Sequence, residues 1–144
     1  MRACRTTAPR PSGRPHEAAP LSWLAVGAGA AIGAWLRWGL GLWLTNVHAH
    51  LQAGTLAANL VGAYLIGIAL GFFSHHPGLS PEWRLFVVTG FLGGLTTFSS
   101  FSGESVALLQ RGQYGWALAH TLLHLGGSIL LCIAGFATWR ALRG

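Results

Sequence analysis

Apolar residues fall in four long blocks, at 21–45, 54–74, 83–109 and 116–141, with short polar breaks between them. None alternates with the period of a half-buried strand, and each reaches the ~20 residues a helix needs to cross a bilayer. Residues 38–81 and 112–139 hold no Asp, Glu, Lys or Arg. The pattern predicts an all-α integral membrane protein with four transmembrane helices. The connections are 46–53 with two histidines, 75–82 with Pro77 and Pro81, and 110–115 with Arg111. Trp23, Trp43, Trp83, Trp116 and Trp139 stand near the predicted ends, where an interfacial aromatic belt belongs.

One block interrupts itself. Residues 93–101 read GGLTTFSSF, with two glycines, two threonines and two serines inside a helix-length segment. Such a run breaks a membrane helix and is tolerated where the freed backbone lines a cavity or an ion site. Small residues also recur four apart, at Gly29/Gly33, Ala58/Gly62, Gly67/Gly71 and Gly90/Gly94. These stripes let helix backbones approach closely in lipid.

Composition supports the membrane reading. Hydrophobic residues are 52% of the 144 and charged residues 8%, against roughly 25% charged in soluble domains. The mean hydropathy is +0.50. The net charge of +6 comes from nine arginines against Glu17, Glu82 and Glu104. The arginines flank apolar blocks, which favours a topological role over nucleic-acid binding. Residues 1–20 are Arg- and Pro-rich without periodicity and are expected to form a disordered basic tail, leaving 21–144 as the transmembrane domain. Cys4 and Cys132 lack CxxC spacing and are expected to be unpaired. Arg37 is expected to snorkel toward an interface.

With an even number of spans both termini share a side. That side carries Arg2, Arg5, Arg10, Arg14, Arg84, Arg140 and Arg143, against Arg37 and Arg111 opposite. The tail supplies most of this bias toward cytoplasmic termini.

Candidate chemistry is polar but not catalytic. Asn59 is alone in the second block and acts either as interhelical glue or as an amide donor to an anion. Phe98 and Phe101 share a helical face three residues apart, as core packing or as ring edges presented to an anion. Carbonyls freed around 93–96 can coordinate a cation, and Glu104 follows. His120, His124 and Ser128 form an i, i+4, i+8 stripe. Histidines four apart can share a metal, but no third ligand is evident, so a polar track for ions or water is preferred. Any pH effect of these two histidines on transport is expected to be modest. His75 and His76 look like solvated interface residues. There is no paired-acid site, Ser/His/Asp set, phosphate loop or HExxH, so an enzyme is not expected.

Three segments, GAGAAIGAWLRW (27–38), GTLAANLVGAYLIG (54–67) and GFLGGLTTFSSFSGE (90–104), together resemble the Fluc/CrcB fluoride ion channel family. The resemblance implies an antiparallel, dual-topology homodimer in the cell inner membrane that exports cytoplasmic fluoride passively and confers fluoride resistance. By position, Asn59 is the implied pore amide, and Phe98 and Phe101 are the implied aromatic fluoride contacts. Thr55, Ser99 and Ser128 belong to the implied polar lining. Gly93 and Thr96 are the implied carbonyl ligands of a structural sodium ion at the dimer interface. His120 and His124 depart from relatives, which often carry Tyr or Ser there. Two rivals stand beside this reading: a proton-coupled small multidrug exporter, for which Glu104 is the one candidate carboxylate, and a non-transporting membrane assembly protein.

Overall fold

A computed structural model describes residues 20–45 and 51–144. The tail expectation, Cys4 and most of the first connection lie outside the described residues. Helix α1 runs Pro20–Trp43 and α2 Ala53–His75. The third segment is compound: α3 (Pro81–Arg84), a π-helical stretch Leu85–Leu92, α4 (Gly93–Leu95) and α5 (Phe98–Gln110). Helix α6 is Tyr114–Leu142. No strand occurs among the described residues.

Local chemistry sets these ends. Pro81 opens α3 at a position where its missing N–H costs nothing, with Glu82 in the first turn. α2 stops where His75 and His76 turn their Nδ1–H groups onto the carbonyls of Gly71 and Phe72, at 2.7 and 2.8 Å. Both histidines therefore serve as C-terminal caps. α5 closes on Gly112, whose φ of +69° favours glycine. There the N–H of Gln113 bonds Leu108 and that of Gly112 bonds Leu109, a Schellman turn that sends α6 back along α5.

The break in the third segment lies at Thr96–Thr97. Thr96 (φ −86°, ψ 153°) and Thr97 (φ −150°, ψ 119°) are extended between α4 and α5. The Thr97 hydroxyl then caps α5 by accepting from the Ser100 N–H at 3.2 Å.

The expected small-residue stripes form the helix contacts. α1 packs on the π-helical stretch and α4, and α2 packs on α6. A Cβ at Gly33 would strike the Phe91 carbonyl oxygen. On the other face, Gly67 lies on the Cys132 carbonyl and Gly135 on the Tyr64 carbonyl. The buried cluster is small, formed by Ala58, Ala69, Leu92 and Leu95. Large apolar side chains instead cover the outside, including Leu122, Leu125, Leu130 and Ile133 of α6. Such a surface suits lipid or a partner.

Three segments, Ala53–His75, Pro81–Gln110 and Tyr114–Leu142, are long and apolar enough to cross a membrane. This is a membrane protein. α1 matches them in length, but Arg37 and its four tryptophans dilute its hydropathy. Arg37 does not simply reach for the interface: its Nε donates to the Gly94 carbonyl at 3.2 Å, beside the break. Trp139 also departs from the belt. It packs on Gly71 and meets Phe72 edge-on at 5.3 Å.

Candidate functional site

The break is held from outside its own helix. Asn59 of α2 accepts the Thr97 N–H on Oδ1 at 2.7 Å and donates from Nδ2 to the Thr97 carbonyl at 3.1 Å. An extended residue inside a membrane segment has lost its ladder partners, and the half-buried Asn59 amide supplies both replacements. The second Nδ2 hydrogen points at His124 Nδ1, 3.0 Å away. Nδ1 is therefore an acceptor and the His124 ring proton sits on Nε2. His124 is 4% exposed, and its Nε2 has no partner.

Beside the break lies a cavity of ≈ 580 Å³, whose lining includes Asn59, Thr97, Phe98, Phe101, His124 and Ser128. The rings of Phe98 and Phe101 meet at 5.4 Å, tilted by 49°. Phe98 is 78% exposed, so the cavity is open on its side. Phe101 stacks on His120 at 5.2 Å and lies 5.0 Å from His124.

A second cavity of ≈ 390 Å³ is lined by Thr55, Glu104, Arg111 and His120, among others. Here the polar groups are paired. Thr55 donates to Glu104 Oε1 at 2.6 Å, and Glu104 Oε2 lies 3.0 Å from His120 Nε2. His120 Nδ1 lies 3.1 Å from the Ser105 hydroxyl, which itself donates to the Phe101 carbonyl at 2.9 Å. His120 thus lines the second cavity while stacking on Phe101, a wall of the first. One ligand atom from each of Glu104, His120 and His124 falls within 4.8 Å of the others. Glu104 thus stands beside the histidine stripe, for which no third ligand was evident in sequence.

The structure brings most of the expected residues together, in two groups. Asn59, Phe98, Phe101, His124 and Ser128 meet in one cavity, and Thr55, His120 and Glu104 in the other. Ser99 lines neither; it is exposed and bonds the Thr97 hydroxyl at 3.0 Å. Gly93 is exposed beside the break and Thr96 is half-buried, its hydroxyl turned back to the Leu92 carbonyl. Sequence reasoning missed Ser105 and the part played by the Thr97 backbone. It also left Glu104 without a partner, although a signal existed: Glu104 and His120 each stand eight residues from Gly112, the turn of the α5–α6 hairpin.

Comparison with known proteins gives this geometry a family. The family described as CrcB-like protein, Camphor Resistance, matches residues 24–136. A fluoride-specific ion channel FluC of Cupriavidus pinatubonensis is 62% identical over 123 residues, covering 85% of this chain and 98% of the relative. The protein of that name from Pseudomonas putida is 55% identical over 123 residues, with 85% and 97% covered. That from Nitrosomonas europaea is 54% identical over 115 residues, with 80% and 91% covered. With the match spanning most of the chain and the broken-helix site within it, this chain belongs to the CrcB family.

Proposed function

We infer that this chain is a fluoride-selective passive channel of the cell inner membrane that exports cytoplasmic fluoride and so confers fluoride resistance. The observation that carries the reading is the cavity at the break: Asn59, His124 and Ser128 line a space walled by Phe98 and Phe101. Fluoride is small and strongly hydrated, so a pore must replace its water with N–H and O–H donors and with positive ring edges. His124 Nε2–H, the hydroxyl of Ser128 and the edges of Phe98 and Phe101 supply such contacts. Asn59 shares with the ion the hydrogen it gives His124 Nδ1. Thr55 and His120 continue the track into the second cavity, and Ser99 lends a hydroxyl at its outer rim.

In this reading α1 is the fourth span, and two antiparallel copies make the working dimer. Phe98 and Gly93, both exposed on one copy, lie where a second copy adds wall. The carbonyls of Gly93 and Thr96 would hold a structural sodium ion at that interface. Hard backbone oxygens suit an alkali cation, and the Thr96 conformation ends the helical ladder there. Arg37 occupies the neighbouring Gly94 carbonyl and steadies the break. The ion would offset the negative carbonyl ends that otherwise repel each other and a nearby anion.

Export needs no coupling. Hydrogen fluoride enters as a neutral weak acid and ionises in the cytoplasm, and the membrane potential drives the trapped anion outward at ~2.3 kcal/mol per charge per 100 mV. Purified protein in liposomes loaded with fluoride or chloride should release fluoride and retain chloride. Asn59→Ala and Phe98→Ala should each slow fluoride release; unchanged release would remove those residues from the site. Proton-dependent drug efflux lost in Glu104→Gln would replace the channel with an exporter, and no ion flux from folded dimers would leave an assembly protein.

A further inference from the structure

We propose that Glu104, His120 and His124 form a site for a divalent transition-metal ion, with zinc as the representative, and that an ion bound there blocks the channel. The blocking half rests on the channel reading above; the site itself rests on side-chain geometry alone.

The first ground is a hydrogen count. Ser105 has one hydroxyl hydrogen, and it goes to the Phe101 carbonyl. Its oxygen is left to accept from His120, which places a proton on His120 Nδ1. His120 Nε2 then presents a lone pair to Glu104 Oε2 at 3.0 Å, in a pocket where His120 is 1% exposed. Two acceptors this close need a cation between them, either a proton or a metal. The Nδ1–H of His120 anchored on a hydroxyl is also the outer-shell arrangement that orients a metal-binding imidazole through Nε2.

The second ground is His124, a member of the same cluster whose Nε2 is buried without a partner. In a tetrahedral zinc site, ligand atoms ~2.1 Å from the metal stand about 3.4 Å apart. Glu104 and His120 are already near that spacing, and the cluster as a whole closes within 4.8 Å. Two imidazoles and one carboxylate suit zinc, copper or nickel rather than magnesium or calcium. A zinc held by three protein ligands keeps a fourth position for water or an anion.

His124 sets the consequence for transport. To ligate through Nε2 it must move its proton to Nδ1 and turn away from Asn59, which keeps both bonds to Thr97. The N–H offered to fluoride is thereby withdrawn, and a dication sits where His120 meets Phe101. Metal and fluoride compete for one atom.

The test uses the full chain with the other five of its seven histidines replaced by alanine, so that bound zinc reports this site. Elemental analysis after equilibration with buffered micromolar zinc should find one ion per chain, and zinc should stop fluoride release from liposomes. His120→Phe, His124→Ser and Glu104→Gln should each raise the blocking concentration by roughly a hundredfold. Gel filtration and circular dichroism establish which of the three variants are folded. No bound zinc, or binding and block unchanged in the folded variants, overturns the site. Stoichiometric zinc with undiminished flux overturns the block. If the zinc-free protein carries no fluoride yet binds one zinc per chain, the channel reading fails and the site stands.

Discussion

Asn59 holds the break in place and, in the proposed channel, would serve transport as well. Its oxygen and both amide hydrogens are engaged, by Thr97 N–H, Thr97 carbonyl and His124 Nδ1. Interhelical bonds in membranes contribute about 0.6–2 kcal/mol each, so losing two or three of them costs about 1–6 kcal/mol. Asn59→Asp separates the functions. The carboxylate still accepts from Thr97 but repels the Thr97 carbonyl and any anion, and it gives nothing to His124. Fluoride efflux should fall to background, with a lower unfolding midpoint in detergent; efflux at the parent rate would show that the amide hydrogens play no part. An amide alone in an apolar block was visible in the sequence as a residue needing partners. Which partners it takes was not, because Thr97 exposes its backbone only once the break falls at Thr96–Thr97 rather than at the glycines.

Helix boundaries were legible to within two residues, since a bilayer-length apolar run ends where Trp, Pro, Gly or Arg begins. The π-helical stretch Leu85–Leu92 was not: its run LFVVTGFL carries no marker, and its register is fitted to α1 through close contacts at Gly29, Gly33 and Gly90. The glycine stripes were readable as packing positions, but the sequence did not say which helix each one meets. That pairing makes a prediction. Gly67→Ala would place its Cβ on the Cys132 carbonyl and force α2 from α6, costing about 1–3 kcal/mol. Gly115→Ala, in the first turn of α6 with open space around it, should be neutral or stabilise by up to about 1 kcal/mol. Paired unfolding curves in detergent check this, and equal losses would mean that the α2–α6 contact is looser than described.

At the scale of the whole molecule, orientation in the membrane depends on very few charges. With the four spans proposed above, seven arginines fall on the side of the termini, four of them in residues 1–19. Arg37, counted on the opposite side, is drawn into the fold by the Gly94 carbonyl, which leaves Arg111 as the loop charge there. Arginine in loops near span ends decides which way a small membrane protein inserts, so a short tail can dominate the outcome. The proposed dual topology would require both orientations, since an antiparallel pair takes one subunit of each. Deleting residues 2–19 should therefore shift the population from mostly cytoplasmic termini toward an even mixture, read from the activities of paired reporters fused at the C-terminus. Fluoride efflux per mole of folded protein should hold or rise, because more subunits find an oppositely inserted partner. A reporter ratio unchanged by the deletion would mean that Arg84, Arg140 and Arg143 alone set the orientation.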